Sequence, residues 1–390
     1  MTKTADVVVV GGGVMGASIA YHLAAAGAGR VVLLEREHGL GLGSTGRCAG
    51  GFRHQFSSEI NVRLSLASSR MIRNFTAEHG LPLDLHVDGY LFLVRDAARW
   101  GGYQQAAAMQ RSLGARIEEL DQRAVAELIP GLVVDGLVGA TFGPDDGLAD
   151  PSGLTNGYAT LARRAGAEIR LGTEATGIRT TRDGSAVMGV ETAGFEGSGG
   201  VIDAPVVVVA AGVWAPRLVA TCGLDLPIVP HRRHVVVTGD FPGRPERRTL
   251  VIDTSSMFYF HREGTGVLMG ASPTREDVTL DTNVDERWIA DELLPLAVSA
   301  LPGIADASLT AKWAGLYEMT PDRHAILGPV DGLAGCYLAT GFSGHGFQHA
   351  PIVGKVTAEL ITGLPTTVDV SELCLERFAR GELIGESHVV

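Results

Sequence analysis

The sequence predicts an α/β fold in which a domain with a parallel sheet is interleaved with an α+β domain built on an antiparallel sheet. Two apolar runs, Val7–Val10 and Val31–Leu34, flank a helical segment, which is the pattern of a βαβ unit with buried parallel strands. A further apolar run at 206–210 lies far along the chain. Between 226 and 316 several strand patterns follow one another, as in an antiparallel sheet.

Length, charge and cysteine usage limit the class of protein. The 390 residues are enough for two or three domains, and a core of that size needs no disulfide. The net charge of -12 argues against nucleic acid or an anionic membrane as a partner, because both require a basic face. The four cysteines are scattered without a C-x-x-C pair, so we expect reduced thiols, no metal site and a cytoplasmic protein. Glycines interrupt the apolar stretch at 5–26, which argues against a signal peptide or a membrane span.

Apolar periodicity and end signals locate the other elements. Asp150 followed by Pro151 is a helix start, and Gly363 is a helix end. The predicted helices cover 17–26, 59–79, 97–114, 151–166 and 351–361. The predicted strands cover 90–94, 187–192, 201–204, 235–238, 257–261, 267–270 and 335–339. A turn at 194–200 joins 187–192 to 201–204 as a hairpin.

A glycine-rich loop follows the first strand and opens the first helix. Gly11, Gly13 and Gly16 form the pattern G-x-G-x-x-G, which allows a tight turn, close approach of the backbone to a pyrophosphate and packing of helix on strand. The helix N-terminus adds free N–H groups and a positive dipole end. Glu35 lies about twenty residues further on, in place to accept ribose hydroxyls. The motif predicts a bound dinucleotide and leaves NAD and FAD open.

Three more turns rich in small residues occur at predicted strand ends. They are 43–45, 210–212 with Ala211 and Gly212, and 341–347, which begins with Gly341. Turns so far apart in sequence suit a long cofactor that lies extended across the domain, and they favour FAD over NAD.

The last of these turns leads into the final predicted helix. Its N–H groups and the positive helix end are placed to stabilise negative charge that develops on a reduced flavin. We therefore assign to the isoalloxazine end the residues Gly344, His345, Gly346, Phe347 and Gln348.

Together these motifs resemble the D-amino-acid oxidase and sarcosine oxidase family of flavoproteins, over essentially the whole chain. The resemblance is carried by the first glycine loop, 43–45 with 48–52, 209–214, 313–322 and 341–347. It is strongest toward the β subunits of sarcosine oxidase and dye-linked proline dehydrogenase. It implies a Rossmann-like FAD-binding domain of the glutathione-reductase-2 type, interleaved with a substrate-binding domain. We expect the first domain to comprise 1–86, 146–225 and 318–390, and the second to comprise 87–145 and 226–317.

The resemblance also implies which residues bind FAD near the phosphates, the ribose and the adenine. They are Gly11, Gly13, Val14, Met15, Glu35, Arg36, Ser44, Thr45, Ala49, Gly50 and Ala175. Some relatives attach the flavin through a cysteine at the position matching Gly315, and others attach a second flavin, FMN, through a histidine where this chain has Pro151. The resemblance therefore implies non-covalent FAD and puts FMN in doubt.

Two lysines of monomeric sarcosine oxidases are also missing. They match Gln348 and Leu268, so the electron acceptor, O2 or another, stays open. On the substrate side, the guanidinium of Arg53 offers a fork of hydrogen-bond donors that suits a substrate carboxylate. The alternative role for Arg53 is a salt bridge at the domain boundary. His54, Tyr259, Tyr317 and Gln348 are the other candidate catalytic residues, and a polar interface histidine and a core tyrosine are the alternatives for the first two.

The implied activity is FAD-dependent oxidation of a C–N bond by hydride transfer to the flavin. The expected substrate is an amino acid or secondary amine that resembles sarcosine, another N-methyl amino acid or proline. Two alternatives remain open: oxidation of a 2-hydroxy acid on the same fold, and a flavin subunit that works only in a hetero-oligomer. The sequence is compatible with an oligomer or a partner subunit.

Overall fold

The computed structural model describes residues 4–194, 199–273, 275 and 278–388. The strands of these residues are β1 Val7–Val10, β2 Val31–Leu34, β3 Gly51–Phe52, β4 Leu85–His86, β5 Tyr90–Val94, β6 Glu118–Leu120, β7 Gly139–Gly143, β8 Gly147–Ala149, β9 Glu168–Arg170, β10 Thr173–Thr180, β11 Val187–Gly194, β12 Gly200–Asp203, β13 Val206–Val209, β14 Val229–Thr238, β15 Leu250–Asp253, β16 Phe258–Glu263, β17 Gly266–Gly270, β18 Leu309–Met319, β19 Ile326–Pro329 and β20 Cys336–Thr340. Their α-helices are α1 Val14–Ala25, α2 Glu59–His79, α3 Ala97–Ser112, α4 Gln122–Leu128, α5 Pro151–Arg164, α6 Ala215–Val219, α7 Glu286–Trp288, α8 Leu294–Ala300, α9 Gly346–Thr362 and α10 Arg377–Arg380.

The first sheet has the strand order β19-β20-β13-β1-β2-β9. β1 pairs in parallel with β2 and β13, whereas β19 is antiparallel to β20. Alternate residues of β1 enter two cores: Val7 and Val9 pack under α1, α2, α5 and α9, and Val8 and Val10 pack against α6 and the β10-β11-β12 sheet. Because both faces are covered, the strand is a continuous apolar run, as predicted.

The second large sheet has the order β18-β14-β17-β16-β15-β5-β7-β6. Its neighbouring strands are antiparallel except for β15 and β5, which run parallel. One face, with Leu91 and Phe260, packs on α4, α8 and the π-helical turn Ile289–Leu293. The other face presents Tyr90 and Ile252. Helix α3 covers part of this second face, where Tyr103 packs with Tyr90 and Phe92.

Most predicted elements are confirmed. α2 and β5 have the predicted limits, and β11 and β12 form the predicted antiparallel hairpin, although 195–198 of its turn lie outside the described residues. The last predicted helix is wrong at its start: α9 begins at Gly346, so Pro351 lies in its second turn and costs one helix hydrogen bond. A short helix, α10, follows it. The limits of the two domains stay a prediction.

Candidate functional site

A cavity of about 830 Å³ lies at the carboxyl ends of the parallel strands, within the size range of ligand sites. Its wall combines the residues that follow β1, β2, β13 and β20 with side chains of the second large sheet. We call the part lined by 10–15, 34–37 and 173–176 the glycine-loop end. The part lined by Tyr90, Arg233, Tyr259 and Tyr317 is the tyrosine end.

The glycine loop is shaped by contacts that exclude side chains. Gly11 has a φ of 112°, which L-residues rarely adopt. A Cβ on Gly16 would lie 1.8 Å from the carbonyl oxygen of Gly11. Only glycine at these positions lets the loop turn tightly from β1 into α1.

The N-terminus of α1 opens into the cavity. Its N-cap residue is Gly13, which has no side chain to cap the helix, and its first turn carries no acidic residue. Thr45 approaches from the neighbouring segment, where its Oγ1 accepts a hydrogen bond of 3.2 Å from the Val14 N–H. The remaining N–H groups and the helix dipole form an anion site of the kind that holds a pyrophosphate.

Two charged residues follow β2. The Glu35 carboxylate accepts hydrogen bonds from the backbone N–H of Gly12 at 2.6 Å and of Glu37 at 2.8 Å, so it braces the glycine loop while it lines the cavity. The Arg36 guanidinium lies 3.8 Å from the ring centroid of Trp214. This pair forms a flat cationic wall beside the glycine loop.

A second loop, 341–345, lies beyond β20. Glu318 from β18 accepts hydrogen bonds from the N–H of Gly341 and from Thr340, each 2.9 Å long. Burial raises the pKa of the Glu318 carboxyl. Ser343 has a φ of 49°, an uncommon value for a residue with a side chain, and its Oγ accepts a hydrogen bond from the Thr320 N–H. These contacts fix a strained loop next to the cavity.

Helix α9 begins directly after this loop. Its N-cap residue, His345, lines the cavity and is 6% exposed, yet neither ring nitrogen forms a hydrogen bond within the described chain. Burial and the nearby Arg53 charge hold the pKa of His345 well below its usual range, so the ring is neutral. A buried neutral imidazole without partners is suited to hydrogen-bond a ligand in the cavity. The cavity therefore receives two helix N-termini, those of α1 and α9.

The tyrosine end is built by side chains of the second large sheet. Tyr90, Tyr259 and Tyr317 come from β5, β16 and β18, and their hydroxyl groups donate no hydrogen bond to any described residue. Burial raises the pKa of all three phenols, so they are protonated donors at neutral pH. The Arg233 guanidinium lies 5.1 Å from the Tyr317 ring centroid. This end can hydrogen-bond a polar ligand within aromatic walls.

Arg53 is a buried cation in the cavity wall. Its Nη atoms donate hydrogen bonds to the carbonyl oxygens of Gln55 and His388, the second of 2.6 Å. Its guanidinium lies 3.8 Å from the Phe56 ring centroid. It forms no ion pair with a carboxylate of the described residues. The Gln348 side chain accepts the Arg53 backbone N–H at 2.8 Å, which ties this residue to the start of α9.

Two predicted residues do not line the cavity. His54 is turned away, because its Nδ1 lies 2.5 Å from the buried Asp146 carboxylate, which also accepts its backbone N–H. His54 therefore lies outside the cavity wall, and its catalytic role stays a prediction that this placement does not support. Gly341 lies behind the wall, where its N–H is used by Glu318. Leu268, which matches a lysine of some relatives, is buried outside the lining as well.

All other predicted site residues lie in the cavity wall. From the cofactor set these are Gly11, Gly13, Val14, Met15, Glu35, Arg36, Ser44, Thr45, Ala49, Gly50, Ala175, Ala211, Gly212, Gly344, His345, Gly346, Phe347 and Gln348. From the substrate set they are Arg53, Tyr259, Tyr317 and Gln348. The structure gives their place, and their binding roles stay predictions.

Sequence reasoning missed many residues of the wall. Among those with large polar or aromatic side chains are Arg47, Tyr90, Trp214 and Arg233. Arg233 carried a usable signal, because a charged residue next to the apolar run Val235–Val237 of a strand is unusual in a core.

In the part of the chain that the structure describes, no group of three or more His, Cys, Asp or Glu side chains is arranged to hold a metal ion. No helix of the described ranges combines the length and apolarity needed to cross a membrane.

Comparisons with known proteins agree with this geometry. The sequence pattern of the family described as FAD dependent oxidoreductase matches residues 6–360. FAD-dependent oxidoreductase domain-containing protein 1 of Xenopus laevis is 32% identical over 100% of this chain and 85% of its own length. The crystal structure of L-proline dehydrogenase from P. horikoshii superposes with a TM-score of 0.89 at 31% identity, covering 98% of this chain and 100% of that one. Glycine oxidase from Geobacillus kaustophilus gives a TM-score of 0.84 at 28% identity, covering 96% and 99%.

These matches confirm the family, the fold class and FAD as the cofactor. The shape of the wall fits that cofactor. FAD is a long molecule with a pyrophosphate in its middle part and an electron-accepting ring at one end. The glycine loop, which has no room for Cβ atoms, and the N-terminus of α1 suit the pyrophosphate. The N-terminus of α9, at the second loop, suits the electron-accepting ring.

Proposed function

Because the chain belongs to the family of FAD-dependent oxidoreductases, we propose that it oxidises a C–N bond of an amino acid or secondary amine at the tyrosine end of its cavity. The substrates we propose are sarcosine, other N-methyl amino acids or proline. The names of the two solved structures, proline dehydrogenase and glycine oxidase, support an amino-acid substrate for this chain.

The glycine-loop end would hold FAD without a covalent bond. The free N–H groups at the start of α1 would hold the pyrophosphate, Glu35 would accept hydrogen bonds from the ribose, and the loop before α9 would lie at the isoalloxazine. The position of the linking cysteine of some relatives is Gly315, where a Cβ would lie 3.1 Å from the Cβ of Arg47. This crowding supports a non-covalent site. When bound, FAD supplies the hydride acceptor.

The observation that carries the proposal is the buried cation of Arg53 in the cavity wall. Burial lowers the pKa of its guanidinium, while the nearby Tyr90 hydroxyl acts in the opposite direction. Its Nε donates no hydrogen bond to a described residue, and each Nη uses one of its two protons on a carbonyl oxygen. A substrate carboxylate beside Arg53 would compensate a charge that lacks a carboxylate partner in the described chain.

The tyrosine end supports amine chemistry without a carboxylate pair. An amine reacts in its unprotonated form, so the site needs low polarity and hydrogen-bond donors for orientation more than a strong base. Tyr259 and Tyr317 supply protonated phenols, and His345 supplies a neutral imidazole. The lysines that some relatives have at the positions of Gln348 and Leu268 are absent from this chain. The electron acceptor of the reduced flavin is therefore O2 or another oxidant.

Anaerobic mixing of the FAD-loaded protein with a substrate panel tests the proposal. Sarcosine or proline should bleach the flavin absorbance, whereas lactate and 2-hydroxyglutarate should not. Bleaching by the hydroxy acids alone would replace the proposal by C–O oxidation. If no panel member bleaches the isolated chain, the protein acts as a subunit or on another amine, and the proposed substrates are wrong.

A further inference from the structure

The segment 386–388 lies against Arg53, a residue of the cavity wall. It passes beside Ser57 and Ser58, just before α2, and its His388 carbonyl oxygen accepts the hydrogen bond from Arg53. The two parts of the chain are more than three hundred residues apart, so this contact is a tertiary one that local structure does not dictate.

Glu386 fastens this segment. Its carboxylate accepts six hydrogen bonds. They come from the backbone N–H and hydroxyl of Ser57, the backbone N–H and hydroxyl of Ser58, the side-chain amide of Asn61 and the backbone N–H of His388. Only 4% of the surface of Glu386 is exposed. A carboxylate with its lone pairs so fully used is held in one position.

The ring of His388 adds a second contact. It stacks on Tyr103 with a centroid distance of 4.2 Å and an interplanar angle of 6°. Tyr103 belongs to the core beneath Tyr90 and Phe92, so the segment is clamped between α2 and α3. The carbonyl oxygen of His388 thereby has a fixed position relative to the Arg53 guanidinium.

We propose that Glu386 is a positioning residue, which through the carbonyl oxygen of His388 holds the Arg53 guanidinium in place to bind a substrate carboxylate. This rests on the proposed function, in which Arg53 binds that carboxylate. The guanidinium is held on one side by two carbonyl oxygens and on another by the Phe56 ring, which leaves Nε and one proton of each Nη for a ligand. Without the anchor, the His388 oxygen loses its fixed place and the fork of donors is no longer preorganised.

Glu386→Gln in the FAD-loaded protein tests this, with Glu382→Gln as the matched control. Glutamine is isosteric, but its NH2 group meets backbone donors wherever it points. Glu382 lies in the same part of the chain, is exposed and pairs with Arg380. Ser57→Ala is a milder variant that serves if Glu386→Gln does not fold.

The first measurement is binding of cyclopentanecarboxylate, an unreactive analogue of proline, followed by the change in flavin absorbance. Glu386→Gln should raise its Kd about tenfold or more and leave the FAD content unchanged, whereas Glu382→Gln should have no effect. The uncharged cyclopentanecarboxamide should bind all variants alike. Equal Kd values for the carboxylate in Glu386→Gln and wild type, while Arg53→Ala weakens binding, would overturn the positioning role.

The second measurement separates this inference from the proposed function. Hydrogen–deuterium exchange of peptides covering 53–61 should become faster in Glu386→Gln and stay unchanged in Glu382→Gln. If wild type binds no carboxylate, the proposed function of Arg53 is wrong. The exchange rates alone then test whether Glu386 holds the segment 386–388 in place. Unchanged exchange at 53–61 overturns it.

Discussion

The two ends of the cavity are built in different ways. At the glycine-loop end the wall is mainly backbone: an uncapped helix N-terminus, a glycine at left-handed φ and a carboxylate that braces the loop. At the tyrosine end the wall is side chain: three phenols and two arginines contributed by separate strands and by the segment after β3. Backbone donors fit any ligand with a pyrophosphate, whereas side-chain donors can be changed one at a time. The first end is therefore suited to a constant cofactor and the second to a particular substrate.

The sharpest test of the glycine-loop end is whether it holds FAD by contacts alone. Because position 315 is glycine, acid precipitation should release essentially all the FAD into the supernatant. The absorbance of pellet and supernatant near the flavin maximum measures this. Colour retained in the pellet would mean that another residue of the wall is bonded to the flavin.

Gly16→Ala should abolish FAD binding. The added Cβ would lie 1.8 Å from the Gly11 carbonyl oxygen, and such overpacking costs about 1–3 kcal/mol or more and displaces the loop. Purified protein should lack the yellow colour.

The control is Gly101→Ala, in α3, where nothing lies within 4 Å of the added Cβ. Because alanine favours helix, this variant should keep its FAD and gain about 0.5–1 kcal/mol of stability. Equal FAD content in both variants would show that the loop does not need its tight turn.

At the other end Glu386→Gln should show a pH-dependent loss of stability. Burial raises the pKa of Glu386, but the hydrogen bonds from Ser57 and His388 outweigh it and lower the pKa to about 2. The group is then more acidic folded than unfolded, so its stabilisation is present above pH ~4.5 and is lost as the pH falls toward 2. The shift corresponds to roughly 3 kcal/mol.

Urea unfolding of wild type and Glu386→Gln at pH 7 and pH 3 measures this difference. The gap in free energy of unfolding should be largest at pH 7 and should shrink at pH 3. A gap that does not change with pH would show that the carboxylate charge does not fasten the segment. Glu382→Gln should produce little change at either pH, since exposed ion pairs contribute about 0–1 kcal/mol.

The smallest effect is expected from Thr45→Val. It removes the 3.2 Å hydrogen bond to the Val14 N–H and keeps the shape of the side chain. One hydrogen bond contributes about 1 kcal/mol, so the Kd for FAD should rise about fivefold. Fluorescence titration of the apoprotein with FAD measures it. A change in the Kd for carboxylate ligands instead would place Thr45 at the wrong end of the cavity.

The same contrast explains what the sequence could predict. Gly11, Gly13 and Gly16 are read from a local pattern, because tight turns and helix starts depend on neighbours in the chain. The limits of α2 follow from periodicity and from the glycine at its end. The resemblance to the family assigned the distant small-residue turns to the same site. They meet there because the carboxyl ends of parallel strands lie at one edge of the sheet.

The tyrosine end was less predictable for a physical reason. Tyr90 and Tyr259 come from different strands, and their facing depends on sheet register, which one sequence does not show. His54 was misplaced because its partner, Asp146, lies ninety-two residues away. The anchor at Glu386 gave no local signal, because its donors lie near the start of α2.

In the proposed division of the cavity, Arg53 at the tyrosine end selects the substrate carboxylate, and the backbone at the glycine-loop end holds the cofactor. Anaerobic stopped-flow reduction of wild type, Arg53→Ala and Arg36→Ala by matched pairs, proline with pyrrolidine and sarcosine with dimethylamine, tests it directly. Wild type should favour the carboxylate member of a pair by about 30-fold or more in kred/Kd, since loss of one partner of a buried charge pair costs about 2–5 kcal/mol. Arg53→Ala should erase this preference and keep its FAD, whereas Arg36→Ala should keep the preference and bind FAD more weakly. A preference that survives Arg53→Ala, or equal losses on both members of a pair, would contradict this role of Arg53.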